Sequence, residues 1–136
     1  MDLVKSIKIS AAGMKVQGAR LKIIAENIAN ADSMASQKGG IPYQRKIVNF
    51  HNVLDRELGT HLVKIRNYDV DKAEFRKQYD PGHPAADKDG YLKMPNVNAL
   101  IEMMDMREAQ RSYEANLRII QVSKSMIQRT IGLLGR

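Results

Sequence analysis

The chain has 136 residues, with 22 Lys and Arg against 15 Asp and Glu, a formal net charge of +7, no Cys and no Trp. That length suits one ordinary domain, and the absence of Cys removes disulfides, thiolate metal sites, iron–sulfur clusters and thiol nucleophiles together. Eight Met stand against two Phe, so rigid aromatic anchors for a compact core are scarce and adaptable side chains are plentiful.

At the N-terminus Lys5 and Lys8 interrupt the apolar residues, so no h-region of a secretory signal peptide is expected, and no apolar run reaches the roughly 18 residues of a spanning helix. This reads as a cytoplasmic chain, or as one exported without a cleaved signal. Val4, Ile7, Ala11, Met14, Gly18, Leu21, Ala25 and Ile28 follow alternating steps of three and four. That is the seam of a helix laid along another helix. Lys5, Lys8, Lys15 and Lys22 lie away from it. Gly13 and Gly18 each cost the helix about 1 kcal/mol relative to Ala, so it needs something to pack on. Asn27 and Asn30, at the end of the periodic stretch, are expected to cap the helix and bond into the following loop.

Residues 31–42, with Gly39-Gly40 and Pro42, read as a loop. Segments 43–50 and 61–68 alternate β-branched and aromatic residues with polar ones and predict two short strands or a hairpin. Asp69 and Asp71, near Arg66, Lys72 and Arg76, predict an ion-paired strand end. Residues 79–96 hold three of the four prolines and read as an irregular, turn-rich segment. A second helix is expected after Pro95, capped by Asn96 or Asn98, with Glu102 and Asp105 suiting the positive end of its dipole. Its seam runs Ala99, Met103, Met106, Gln110, Tyr113, Leu117, Ile120, Lys124, Ile127, Ile131 and Leu134.

The fold expected is therefore mainly α. Long N- and C-terminal helices pair as a coiled-coil-like unit, with a small loop-rich β-hairpin segment between them. The division is 1–32 for the N-terminal helix, 33–96 for the middle and 97–136 for the C-terminal helix. Two such helices share too little surface to stand alone, so stability is expected to come from assembly through both seams.

Tests for chemistry give little. Asp87-Lys-Asp89-Gly90 resembles part of a calcium loop, but register on Gly90 puts Ala85 and Asn96 at essential ligand positions. An Asp-Gly turn accounts for it better. His51, His61 and His83 are dispersed without metal-binding spacing. No nucleophile elbow, phosphate loop or dinucleotide glycine run occurs. An enzyme is not expected, nor any cofactor, metal or small-molecule substrate. A small basic nucleic-acid-binding protein is the alternative reading. The excess charge is spread along the chain, however, with +3 in residues 1–38 and +2 in each of 39–95 and 96–136. A phosphate-tracking surface would concentrate it.

Three motifs carry a resemblance. Ser10-Ala-Ala-Gly-Met14 followed by Ala25-Glu-Asn27-Ile-Ala29-Asn30 resembles the N-terminal signature of the bacterial flagellar axial proteins, the rod and hook subunits. Arg111-Ser-Tyr113-Glu-Ala115-Asn116 resembles their C-terminal signature. The segment from Asp80 to Val97, with His83, Pro84, Asp87, Gly90, Tyr91, Met94, Pro95 and Asn96, is similar to the corresponding segment of proximal rod proteins in that family. The loop at 33–42 departs from the usual turn. The resemblance implies a subunit of the basal-body rod that polymerises through its terminal helices into the torque-transmitting driveshaft. It implies other rod subunits and the membrane-ring/rod junction as partners. It also implies passage through the flagellar type III export apparatus with an uncleaved N-terminal signal, and a place in the periplasmic rod. The assembly residues would be Ile7, Ala11, Met14, Gly18, Leu21, Ala25 and Ile28 on the first helix. On the second they would be Met103, Met106, Tyr113, Leu117, Ile120, Ile127 and Ile131.

Overall fold

A computed structural model describes residues 2–135; the outer limits of the sequence-based division, Met1 and Arg136, lie outside the described residues. Helix α1 spans Leu3–Ala29 and helix α2 spans Ala99–Leu134. Between them lie β1 (Lys46–Asp55), β2 (Thr60–Val70), β3 (Arg76–Tyr79) and β4 (Tyr91–Met94). The fold is the expected one, two long terminal helices around a small β middle.

Local chemistry sets the helix ends. The Asp2 carboxylate accepts from the backbone N–H groups of Val4 and Lys5 and starts α1. Asn98 does the same for Leu100 and Ile101 and starts α2, so of the two expected caps it is Asn98 that serves. At the far end of α1, Asn30 is the C-cap, and its side chain donates to the Glu26 carbonyl at 2.8 Å while accepting from the Ser33 hydroxyl at 3.0 Å.

β1 and β2 form an antiparallel ribbon running from Lys46↔Val70 at its root to Asp55↔Thr60 at its tip, with a register shift at Asn49/Phe50. The tip turns on Gly59 at φ 61°, a conformation that glycine adopts without steric cost. β3 and β4 form a second antiparallel pair. The sequence reading takes residues 79–96, which contain β4, as irregular because Pro81, Pro84 and Pro95 crowd them, and assigns no strand to 76–78. The prolines fall in the connection or just beyond β4, so none interrupts the four-residue ladder. The connection closes on an Asp-Gly turn: Asp87 accepts from the N–H groups of Asp89 and Tyr91, and Gly90 follows at φ 82°. Tyr79 and Tyr91 stack edge-to-face over it at 5.3 Å.

α1 and α2 run antiparallel. Asn27 meets Glu102, Arg20 faces Asp105 and Glu108, and a Cβ on Gly13 would touch Asn116. In α1 the contact line is therefore Gly13, Arg20 and Asn27, extended by buried Ser10 and Ile24. In α2 it comprises Glu102, Asp105, Ala109 and Asn116, extended by buried Ser123. Most of these residues are small or polar. Ala109 is fully enclosed, which lets the two backbones approach.

The two helical glycines make this asymmetry testable. A Cβ on Gly18 would meet nothing within 4 Å, whereas one on Gly13 would lie 2.9 Å from Asn116 Nδ2. That nitrogen donates to the Ser112 carbonyl, so moving it costs a hydrogen bond. Gly18→Ala should stabilise the chain by up to about 1 kcal/mol. Gly13→Ala should gain less or lose stability. Thermal denaturation of the two variants checks the order, and equal gains would contradict the assigned contact line.

Candidate assembly face and polar joint

The apolar seam of each helix lies one position beyond its contact line. One residue is a rotation of about 100° around an α-helix. Because the helices are antiparallel, the same rotation carries both seams to the same side of the pair. Ile7, Met14, Gly18, Leu21 and Ile28 are half-buried there, with Ala11 and Ala25 exposed. Across from them Met106, Tyr113, Ile120 and Ile127 are half-buried, and Met103, Leu117 and Ile131 are exposed. The open space at Gly18 belongs to this face.

The opposite side of α1 is covered. Val16 and Ile23, one position before the contact line, are buried, and α1 is the helix on which β1 and β2 pack. Helix α2 packs on α1 and on no described strand. The molecule is thus a helix pair with a ribbon on one side and an apolar face on the other. Among the described residues, eleven apolar side chains are buried while twenty large apolar ones are exposed. The largest fully enclosed side chain is a carboxylate, Glu102.

That carboxylate belongs to a polar joint where α1, α2 and the ribbon root converge. Glu102, 1 % exposed, accepts from Arg45 Nε through one oxygen and from Asn27 Nδ2 at 3.1 Å through the other. Arg45 also reaches Asp71 at 3.4 Å and Asp105 at 3.6 Å. Asn27 Nδ2 donates to the Lys46 carbonyl at 2.9 Å, and its Oδ1 accepts from the Lys46 N–H and the Tyr43 hydroxyl, both at 2.9 Å. The carboxamide of Asn27 therefore pairs with a backbone peptide as a neighbouring strand would. Asn96 does likewise from the other side. It accepts from the Arg45 N–H at 2.8 Å and donates to the carbonyls of Asp71 and Ala73.

The electrostatics follow this geometry. Burial opposes the charge of Arg45, but the hydrogen bond and charge of Glu102, then those of Asp71, outweigh it and hold the guanidinium above its ordinary pKa. Burial pushes the Tyr43 phenol up; Lys46 works against that shift, and Glu26 and Glu102 add to it. Lys46 is raised by its hydrogen bond and attraction to Glu26, 3.0 Å away.

Several expected sites are placed differently. Asn27 was expected to cap α1 but is buried in the joint; Asn30 alone caps. Asp71 pairs with Arg45 rather than with Arg66, Lys72 or Arg76, and Asp69 accepts from the Val70 N–H. Glu102 serves as the buried partner of Arg45, a role that helix-end electrostatics did not suggest. The segment from Asp80 to Asn96 is architectural. Asp80 accepts from the Gly82 N–H, and His83 Nδ1 accepts from the Ala85 N–H. Pro84 is exposed, Met94 sits in a small cluster with Ala85 and Leu92, and Pro95 is buried just before α2. Ala29 and Ala115 are exposed and Asn116 is half-buried. Sequence reading missed Arg45, Tyr43 and Arg20. For Arg20 the available signal was the polar heptad line through Ser10, Gly13, Gln17, Arg20 and Asn27, which the adjacent apolar line overshadowed; Tyr43 and Arg45, between α1 and β1, carried no local signal.

Residues 88–133, which include β4 and nearly all of α2, match the family model described as flagellar basal body rod FlgEFG protein C-terminal. The chain is 51 % identical over 127 residues to the flagellar basal-body rod protein FlgC of Agrobacterium fabrum, covering 93 % of this chain and 91 % of the relative. The chain belongs to the FlgC family of flagellar basal-body rod proteins. The FlgC proteins of Salmonella typhimurium and Borreliella burgdorferi are 37 % and 35 % identical, each match covering 98 % of this chain and 98 % or 99 % of the relative. These FlgC proteins align along nearly their whole length, so the match spans helices and ribbon alike.

Proposed function

We propose that this chain is a structural subunit of the proximal part of the flagellar basal-body rod, and that it assembles through the apolar face shared by its two helices. It is not an enzyme. It resides in the basal body with other rod components. The observation that carries the assembly reading is the face itself: two apolar seams on the side of the helix pair that the ribbon leaves bare. At about 25 cal/mol per Å² of apolar surface removed from water, modest overlaps with several neighbours add up along a lattice. Met103 and Met106 suit such a face, because unbranched thioethers adapt to contacts that differ from neighbour to neighbour. The charge does not favour a nucleic-acid reading, because the +7 excess is spread along the whole chain and a phosphate-tracking surface would concentrate it.

Two finer elements of the reading rest on kinship with FlgC. The chain leaves the cytoplasm through the flagellar export apparatus with its N-terminus uncleaved. It sits in the periplasmic rod near the junction with the membrane ring. The test is to express an epitope-tagged chain in its flagellated host, lacking the untagged copy, and to purify basal bodies. The tagged chain should restore motility, co-purify with the rod and keep its N-terminal residues by mass spectrometry. Recovery only in the soluble fraction, with rods built in its absence, would overturn the reading.

A further inference from the structure

We propose that Glu102 is a positioning residue that fixes the angle between the β1–β2 ribbon and the helix pair, independently of what the apolar face binds. Away from its root, where Glu26 and Asn27 of α1 bond to Lys46, the ribbon faces α1 with apolar side chains, which attract without preferred direction. That contact is also incomplete. Open clefts of about 530 Å³ and 290 Å³ separate α1 from β2, the first floored by Ala19 and Ile23 under Tyr68 and Val70 and the second by Ala12 and Val16 under Val63. A ribbon seated on such a surface is free to rock about its root unless directional bonds hold it.

Those bonds lie at the root; Asn96 and the Lys46–Glu26 pair supply some of them, and most of those that reach α2 meet at one buried carboxylate. Glu102 Oε2 orients the Asn27 amide, and that amide grips the Lys46 peptide at the start of β1. Through its other oxygen Glu102 holds the Arg45 guanidinium, which reaches Asp71 just beyond the end of β2. Asp71 N–H donates to the Arg45 carbonyl at 2.8 Å, closing the ribbon root into one unit. Both strands are thus tied to α2 through a side chain that α2 presents from its first turns. The tie closes only when residues 27, 45, 71 and 102, remote in sequence, have come together. In a rod subunit the ribbon angle decides where the outer surface points once the helices are docked, so this joint sets the outer geometry.

The absence of native Cys allows a clean test. Spin labels at Ala25→Cys on exposed α1 and Arg56→Cys at the ribbon tip report the angle by pulsed electron–electron resonance in the full chain. A second pair at Arg56→Cys and Tyr68→Cys reports the ribbon itself. The parent should give one narrow helix-to-ribbon distance. Glu102→Leu should broaden it roughly two-fold, as expected for release of a hinge, while leaving the ribbon distance and the helical circular dichroism unchanged. Glu102→Gln can still accept from Arg45 but sets an NH2 donor against Asn27 Nδ2, so it should broaden the distance less than Glu102→Leu does. Should Glu102→Leu fail to fold, Arg45→Lys supplies the same test, since an ammonium cannot span Glu102, Asp71 and Asp105 as the guanidinium fork does. A broad distribution in the parent overturns the proposal, as does a narrow one in either disruptive variant. Parallel broadening of both label pairs does so too, because it shows general loosening instead of rotation at the joint.

Discussion

Arg45→Met should lower the free energy of unfolding by about 3–5 kcal/mol, because it strands a buried carboxylate without its cation. Glu102 is 1 % exposed, and without Arg45 its remaining partner is the Asn27 amide at 3.1 Å. The second substitution that relieves this is predictable. Arg45→Met combined with Glu102→Met removes both charges and should recover much of the loss, since an ion pair replaced whole by apolar side chains of similar volume is often near neutral. Urea denaturation of the two single variants and the double variant measures the coupling. Strict additivity would show that the pair in the joint does not interact energetically. The same comparison separates Arg45 from Lys46, whose pairing with Glu26 lies at the surface. There, loss of the partner should change stability little.

Leu21→Asp and Ile120→Asp should each abolish rod incorporation and motility while leaving the level of folded chain nearly unchanged. Both side chains lie on the apolar face, half-buried by their own helix pair and away from the ribbon. A carboxylate there can still reach water at the edge of the free subunit, so the folded chain loses less than it would beneath the ribbon. In an assembled lattice the same carboxylate is buried against a neighbour without a partner, which costs several kcal/mol at each repeated contact. Val16→Asp is the control, because Val16 is 3 % exposed beneath the ribbon. It should damage folding before it affects assembly. Normal motility in both face variants would remove the seams from the interface.

The helices were legible because apolar periodicity over some thirty residues overdetermines them, and the ribbon because β-branched residues alternate on both of its strands. The side of the helix pair that turns outward was less plain. A 3.5-residue apolar seam marks one edge of a helix packed along another, and the sequence presents two adjacent heptad lines per helix. The apolar one is the stronger periodic signal. The contact line between α1 and α2 is the polar one through Arg20 and Asn27, which only the pairing partner explains. The joint was hidden for the same reason. Asn27, Arg45, Asp71, Asn96 and Glu102 are scattered along the chain, and each alone has an ordinary local reading as a cap, a surface cation or a dipole-matched acid. The β3–β4 pair was obscured by prolines that happen to sit between and after its strands.

Eight Met, two Phe and no Trp are too little aromatic mass for a conventional core. The buried positions show what replaces it. Met94, Pro95 and Val97, all buried within four residues of chain, brace the start of α2. Apart from Val16, Ile23, Ile24 and Ala109, the apolar residues of the two helices lie half-buried or exposed.

The most direct measurement of that arrangement is cysteine protection in purified basal bodies. Single Cys substitutions at Met14, Leu21, Met106 and Ile120 on the apolar face, and at Arg56 and Lys64 on the ribbon, are probed with a maleimide before and after assembly. The face positions should react in the free chain and become protected in the rod, while at least the ribbon tip stays reactive. Equal labelling of the face positions in the free chain and in the assembled rod would contradict the account.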